Sequence, residues 1–160
     1  MPSIADPMSA FVTFQPALDR GEIDLQQGDL DRNVYVHMDQ PNGETRYTYM
    51  RLDGRKVTSM CQIIMAPANE GLPCFQLGYA VPERMRGAGR AKDITMAALA
   101  ELKNGLARHG LREFFVEAVV GASNEASQHV ARAILGGEGK PISDEASGED
   151  ALQFMKKIVS

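Results

Sequence analysis

The sequence is poor in the residues that build metal sites and disulfides. It holds two cysteines, Cys61 and Cys74, and three histidines. Both cysteines fall inside predicted strands without paired spacing, so we expect buried free thiols rather than a disulfide or a metal site. The histidines His37, His109 and His129 show no metal-ligand spacing with the cysteines. No metal is therefore predicted.

Long apolar runs and an excess of positive charge are missing as well. No apolar run approaches the roughly 20 residues that a membrane-spanning helix needs. The net charge of −4 argues against broad binding to nucleic acid or to an anionic membrane. Residues 1–6 include an acid and no basic segment, so we expect no signal peptide and a cytoplasmic protein. The 160 residues, 44% apolar and 24% charged, are expected to form one domain.

What the sequence does contain is a run of strand patterns followed by a strand–helix–strand unit. Short apolar alternations bounded by turn residues predict an antiparallel meander over 33–81. Ile94, Ala98, Leu102 and Leu106 are four residues apart and predict one buried stripe of a helix. A strongly apolar strand follows at 111–120, which we expect to run parallel to the strand at 74–81 through a right-handed crossover.

The two ends of the chain are harder to interpret. Residues 11–14 fit a short strand, and residues 23–25 alternate weakly between bounding turn residues. A helix is expected over 124–135, capped by Ser123 or Asn124, with one of its faces packed against the core. The inward residues are expected to be Ala126, Val130, Ala133 and Ile134. Residues 138–150 are polar and predict a loop, whereas 151–159 fit either a strand, which we favour, or a helix.

The segment between the strand at 74–81 and the first predicted helix has the composition of an anion site. It is a glycine-rich turn that carries three arginines, Arg84, Arg86 and Arg90. Glycines allow backbone amides to approach an anion closely, and a helix start offers unpaired N–H groups and a favourable dipole. The turn therefore predicts a site for a phosphorylated ligand.

Residues 77–91 resemble motif A of the GNAT superfamily of N-acetyltransferases. That motif reads Gln or Arg, two residues, Gly, one residue, then Gly or Ala, and Arg84, Gly87 and Gly89 match it. Asn124 and Ser127 resemble the Asn-x-x-Ser or Asn-x-x-Ala start of the family's next helix. The resemblance implies an α+β fold with a mixed, mostly antiparallel sheet of about six or seven strands. At its centre would be a βαβ unit whose two parallel strands splay apart.

The same resemblance implies how the chain is divided and what it binds. Residues 1–44 would be atypical N-terminal strands and loops, 45–136 the acetyl-CoA-binding core, and 137–160 a C-terminal loop and strand. The activity would be an acetyl-CoA-dependent N-acetyltransferase whose amine substrate attacks the thioester directly. The residues expected around acetyl-CoA are Tyr79, Ala80, Val81, Arg84, Met85, Arg86, Gly87, Ala88, Gly89, Arg90, Ala91, Asn124 and Ser127.

The catalytic groups are less well defined. Many family members carry a tyrosine on the second helix that serves as the general acid. The corresponding residue here is Ala131. The catalytic candidates are Glu117, His129 and Tyr79, and a backbone amide near Tyr79 or Ala80 would stabilise the developing oxyanion. The acid would be absent, replaced by water, or supplied by His129 or Ser127. Glu117 interrupts an apolar strand, where an unpaired charge is costly, so it is either a base or half of a structural salt bridge. His129 is either catalytic or a surface residue.

Two questions stay open at this level. The missing tyrosine leaves the alternative of a catalytically silent acyl-CoA-binding or regulatory module with the same fold. The acceptor would be a small-molecule or peptide amine, and the sequence does not specify which. Pairing of the N-terminal strands across a two-fold axis would also allow a homodimer.

Overall fold

The computed structural model describes residues 7–144 and 147–160. Segment 1–6, where no signal peptide is expected, and residues 145–146 of the predicted C-terminal loop lie outside the described residues. In chain order the elements are α1 (Pro7–Asp19), β1 (Gln26–Gln27), β2 (Tyr35–Asp39), β3 (Arg46–Asp53), β4 (Lys56–Asn69), β5 (Leu72–Ala80), α2 (Arg90–Arg108), β6 (Glu113–Gly121), α3 (Glu125–Leu135), β7 (Lys140–Ser143) and β8 (Asp150–Val159).

The strands form one sheet in the order β1-β2-β3-β4-β5-β6-β8-β7. Each neighbouring pair is antiparallel except β5 and β6. These two strands run parallel, and α2 connects them along the chain. The mixed, mostly antiparallel sheet with a central βαβ unit is therefore confirmed. The described sheet has eight strands, one more than the upper expectation of seven.

The two parallel strands separate part-way along their length. Their pairing ends at Leu77 and Ala118. Beyond that point β5 continues to pair with β4 as far as Ala80, and β6 continues to pair with β8 as far as Gly121. Each strand thus keeps its outer neighbour while losing its inner one, which confirms the predicted splay.

Helices α2 and α3 cover one face of the sheet and enclose the larger apolar core. The predicted stripe of α2 is confirmed, since Ile94, Ala98 and Leu102 are all buried. The predicted inward face of α3 is wrong in part, because Ala126 and Ala133 are exposed. The buried side chains of α3 are instead Gln128, Ala131 and Leu135.

The predicted strand at 11–14 is wrong, because these residues belong to helix α1. The helical period places Phe14 and Leu18 on one side, where they pack against Met50 and Met60 of the sheet face opposite α2 and α3. Gln15 adds polar contacts with the end of the β3–β4 hairpin, donating to the Arg55 carbonyl at 2.9 Å and accepting from the Val57 amide at 2.8 Å.

Two segments contain more strand than a turn or loop pattern suggests. β4 continues through Asn69, and a tight turn at Glu70 and Gly71, both with positive φ, returns the chain into β5. β7 lies inside the segment predicted as a loop and pairs with β8 at the sheet edge. The weak alternation at 23–25 forms no strand of its own and precedes the two-residue β1. The preference for a strand over a helix at 151–159 is confirmed by β8.

A buried carboxylate on α2 holds the loop that precedes β2. Glu101 is 9% exposed and accepts backbone N–H bonds from Asp29 at 2.7 Å, from Asp31 at 2.9 Å, and from Leu30 at 3.2 and 3.0 Å to its two oxygens. A Cβ added at Gly28 would lie 2.6 Å from the Asp31 carbonyl oxygen and 2.9 Å from the Glu101 Cδ. Only glycine therefore allows this close approach.

Candidate functional site

The glycine-rich turn forms the N-terminal end of α2. Helix α2 begins at Arg90, with Gly89 as its N-cap residue, and the Asp93 amide makes the first helical bond to the Gly89 carbonyl at 3.0 Å. The amides of residues 90–92 therefore precede the hydrogen-bonded part of the helix, and Gly89 has no side chain to cap them. Gly87 and Gly89 have φ values of 85° and 72°, which glycine adopts without strain.

The three arginines of this turn have different environments. Arg84 is exposed. Arg86 donates from Nε to the Val81 carbonyl at 3.0 Å and so ties the turn to the end of β5. The Nε of Arg90 is buried without a hydrogen-bond acceptor among the described residues. Arg90 is thus the loop arginine with an unsatisfied donor beside the free amides.

An ion pair offsets the negative charge in the first turn of α2. Asp93 pairs with Arg51 of β3 through both carboxylate oxygens. Arg51 also reaches Asp31 at 2.9 Å. These contacts raise the pKa of Arg51, chiefly through the hydrogen bond to Asp93. Because Asp93 is neutralised in this way, its charge competes less with an anion at the start of the helix.

Tyr79 crosses from the sheet to α3 where the parallel strands have separated. Its hydroxyl donates to the Ser127 carbonyl at 2.6 Å and accepts from the Ser127 Oγ at 3.1 Å. Burial raises the pKa of Tyr79, whereas its hydrogen bonds to Ser127 and to the Ala131 backbone act in the opposite direction. The phenol is therefore protonated at neutral pH and lies against the first turns of α3.

Asn124 caps α3, as predicted. Its Oδ1 accepts from the Ser127 amide at 3.0 Å. Both α3 residues expected near acetyl-CoA therefore have internal partners, Asn124 in the cap and Ser127 with Tyr79. The structure brings Tyr79, Asn124 and Ser127 together at one end of the gap between β5 and β6.

Glu117 and His129 lie in contrasting places. Glu117 is 5% exposed, and its Oε2 accepts from the Gln153 Nε2 at 2.7 Å. Among the described residues no lysine, arginine or histidine pairs with it within 4 Å, so the salt-bridge interpretation finds no partner there. His129 is exposed on α3, and Ala131 is buried. A catalytic role for His129 stays a prediction.

The cysteines are free and buried, as predicted. They face opposite sides of the sheet, since Cys61 belongs to the core under α2 and α3 whereas Cys74 alternates with the core residue Phe75. Burial raises the pKa of Cys61 to about 12 and that of Cys74 to about 11. In the described parts of the chain, no three His, Cys, Asp or Glu residues are placed to hold a metal ion. No described helix has the length and apolar content to cross a membrane.

Sequence reasoning missed two residues that shape this region. No sequence pattern indicates a role for Arg51, because its ion-pair partners Asp31 and Asp93 are distant in sequence. Gln153 carried a weak signal, since it is a polar residue between Leu152 and Phe154 in a predicted strand. Only the register of β6 and β8 shows that it meets Glu117.

Known structures share this architecture. An acetyltransferase of the GNAT family from Streptococcus pneumoniae superimposes with a TM-score of 0.52 at 15% identity, over 71% of this chain and 66% of that one. The chain has the GNAT fold. Two further structures agree: a chimeric spermidine N-acetyltransferase from Vibrio cholerae and hSSAT (TM-score 0.51, 13% identity, 70% and 69% covered), and a ribosomal-protein-S5-alanine acetyltransferase from Vibrio fischeri (0.50, 15%, 74% and 63%).

The likeness is confined to structure. At the level of sequence, no protein-family model and no curated protein matches the chain. The chain spans about two thirds of the length of the GNAT structures that it resembles. Identities of 13–15% support a shared fold and do not establish a shared activity. The activity of the GNAT-fold chain has to follow from its own residues.

Proposed function

We propose that the chain is an acetyl-CoA-dependent N-acetyltransferase. The observation that carries the proposal is the junction where β5 and β6 separate beyond Leu77 and Ala118 while a glycine-rich helix N-terminus follows β5. A gap between parallel strands can receive an extended pantetheine arm, and free helix amides suit a pyrophosphate. The gap and the helix start follow one another along the chain at the end of β5. This order matches a ligand in which a pantetheine arm is joined to a pyrophosphate.

The pyrophosphate is assigned to the start of α2. The free amides of residues 90–92 and the buried Nε of Arg90 supply donors without acceptors, and the glycines permit close approach. Arg84 and Arg86 add positive charge at the exposed rim, with Arg86 also bracing Val81. Met85 and Ala88 contribute backbone to the same turn. The pantetheine is assigned to Tyr79, Ala80 and Val81 on one side and to Asn124 and Ser127 on the other.

The GNAT signature can be placed on this loop in two registers. Arg84, Gly87 and Gly89 fit it, and so do Arg86, Gly89 and Ala91. We favour the second register, because Gly89 is the residue directly before α2 and Ala91 lies within the first turn. Under this alignment Gly89 is the glycine at which the backbone meets the phosphates.

The reaction joins the acceptor nitrogen to the acetyl carbonyl carbon. The nitrogen first loses its extra proton, then forms the carbon–nitrogen bond as the carbon–sulfur bond breaks. The departing sulfur takes a proton, and the products are an N-acetylated amine and free coenzyme A. The nitrogen loses a second proton as the neutral amide forms, so two protons leave on the amine side, one is delivered to the sulfur, and one passes to water overall.

Tyr79 is our candidate for the delivering acid. The α3 position that carries a tyrosine in many family members is Ala131 here, and the Tyr79 hydroxyl hydrogen-bonds to Ser127, one turn earlier on the same helix. The phenol thus reaches the same part of α3 from β5. Its raised pKa keeps the proton available at neutral pH.

Replacing Tyr79 with phenylalanine tests this role. We expect kcat to fall by about 100-fold, the lower part of the range for a general acid, while the KM for acetyl-CoA stays within about threefold. Tyr47→Phe is the matched control, because Tyr47 packs on the same face of the sheet. Equal kcat values for the Tyr79→Phe and wild-type proteins would remove Tyr79 from the chemistry.

Thiol release in the presence of acetyl-CoA and a panel of primary amines tests the function itself. We expect turnover with at least one amine and none without an amine. The buried Ala131, which removes the usual tyrosine, favours a second candidate, a silent acyl-CoA-binding module. Acetyl-CoA binding without turnover across the panel would support that module and contradict the transferase.

A further inference from the structure

An acidic side chain stands at the helix start to which the phosphates are assigned. Asp93 is the acidic residue in the first turn of α2, and its side chain is 50% exposed. It directly follows residues 90–92, whose amides precede the hydrogen-bonded part of the helix. A negative charge at this place stabilises an empty helix end and repels a bound phosphate. An anion site here therefore needs a positive charge that compensates Asp93.

The compensating charge comes from β3. Arg51 donates from Nε to one carboxylate oxygen of Asp93 and from Nη2 to the other, the second bond measuring 3.2 Å. A guanidinium that meets a carboxylate through two bonds fixes the orientation of both groups in addition to pairing their charges. The two residues are 42 positions apart in sequence, so the pair joins β3 to the start of α2.

The loop before β2 holds the guanidinium of Arg51 in place. Its Nη2 also donates to the Asp31 Oδ2 at 2.9 Å, and its Nη1 donates to the Asn33 carbonyl at 3.3 Å. The Asp31 Oδ1 accepts in turn from the Asn33 amide at 2.9 Å. Arg51 thus has partners in the loop and in the helix, and its side chain is 25% exposed. Such a guanidinium is a fixed charge rather than a mobile surface group.

The charges of this cluster predict opposite effects for its two sides. Arg51, Asp31 and Asp93 together carry one positive and two negative charges. Removing the guanidinium leaves both carboxylates uncompensated near the helix start, whereas removing the Asp93 carboxylate leaves one matched pair. A phosphate is repelled in the first case and attracted more strongly in the second. An ion pair that only supports the fold gives no such difference in sign, because loss of either partner disturbs the helix start.

We infer that Arg51 is a positioning residue that sets the affinity of the helix start for phosphates by compensating Asp93. The inference rests on the proposed function. Arg51 acts through Asp93 and through the orientation of the first turn of α2. The ligands whose affinity it governs are those with negative charge at this turn, such as pyrophosphate or a nucleotide that carries one.

Calorimetric titration with inorganic pyrophosphate, at an ionic strength of about 0.1 M, tests this role. We expect Arg51→Met to weaken binding by about fivefold, equivalent to about 1 kcal/mol. The effect is several-fold rather than larger because water screens the half-exposed Asp93. Asp93→Asn should bind about threefold more tightly than the wild type. The double variant Arg51→Met/Asp93→Asn should return to within about twofold of the wild-type affinity.

Salt and a matched variant separate charge from structure. In 1 M sodium chloride, where the screening length is about 3 Å, the difference between Arg51→Met and the wild type should fall below about twofold. Arg46→Met is the control, because Arg46 lies on the same strand, pairs with Asp39 and has a side chain that is 28% exposed. It is roughly 16 Å from Arg51 along the strand, so its loss should change the affinity by less than about 1.5-fold.

A parallel titration with acetyl-CoA separates the inference from the function on which it rests. Pyrophosphate binding with the expected pattern, in a protein that does not bind acetyl-CoA, would support the role of Arg51 and contradict the transferase. Equal pyrophosphate affinity in the wild type and in Arg51→Met, or weaker binding in Asp93→Asn, would overturn the inference even if acetyl-CoA binds. A wild type that binds neither ligand contradicts both. Should Arg51→Met fail to fold, Asp93→Asn decides alone, since tighter binding supports the inference and equal or weaker binding overturns it.

Discussion

Replacing Glu101 with alanine is expected to lower the free energy of unfolding by about 3 kcal/mol, because it leaves backbone amides without acceptors beside a buried helix face. The Glu101 carboxylate accepts four hydrogen bonds from the amides of Asp29, Leu30 and Asp31. Alanine offers no acceptor, so these N–H groups either stay unpaired or pull the loop away from α2. Urea unfolding followed by circular dichroism measures the loss.

Lys103→Ala is the control for this result, since Lys103 is an exposed residue of the same helix. It should change the free energy of unfolding by no more than about 0.5 kcal/mol. A loss below about 1 kcal/mol in Glu101→Ala would show that the loop does not depend on this carboxylate.

Replacing Gly89 with valine is expected to weaken acetyl-CoA binding by at least about 100-fold, equivalent to about 2.7 kcal/mol. At Gly89 the φ of 72° is unfavourable for a β-branched residue. A side chain there meets no protein atom within 4 Å, so its effect falls on a ligand rather than on the neighbouring chain. Titration calorimetry with acetyl-CoA gives the two affinities.

Gly54→Val separates the effect on the ligand from the effect of backbone strain. Gly54 has a φ of 61°, is surrounded by open space in the same way, and lies in the β3–β4 turn away from α2. Both variants should lose a similar amount of stability, and only Gly89→Val should lose the ligand. If Gly89→Val binds acetyl-CoA within threefold of the wild type, the phosphates do not lie at this glycine.

The sequence predicts the antiparallel meander and helix α2 well, because the patterns that define them lie in neighbouring residues. The stripe from Ile94 to Leu102 defines one face of α2 without reference to its partners. The turn at Gly87 and Gly89, placed between an apolar strand and that helix, indicates where the helix starts, and the anion site proposed there stays a prediction. The antiparallel meander follows in the same way from alternation and from the Asp53-Gly54 turn.

The ends of the chain are predicted poorly because their order depends on distant residues. Phe14 and Leu18 define a helix face only once Met50 and Met60 present a surface to them. Pro16, which lies inside α1, argues against a helix when read locally. β7 is a short edge strand that exists through its pairing with β8, and nothing in its own residues distinguishes it from a loop.

The candidate site divides in the same manner. The residues proposed to bind the cofactor are mostly consecutive in sequence, so the sequence alone suggests them, and their role stays a prediction. Other polar contacts of the sheet depend on strand pairing: Glu117 meets Gln153 of the neighbouring strand, and Gln62 is in register with Gly78. These pairs are separated by 36 residues and by 16 residues in sequence, so no local pattern joins them.

The most direct test is an amide NMR titration of the labelled chain with acetyl-CoA. We expect the largest chemical-shift changes at residues 87–92, at 79–81 and at Ser127, with adenosine alone producing no comparable change at Ser127. Those three segments line the helix start and the gap between β5 and β6. Unchanged spectra at millimolar acetyl-CoA, or changes confined to other segments, would contradict a coenzyme A site at this junction.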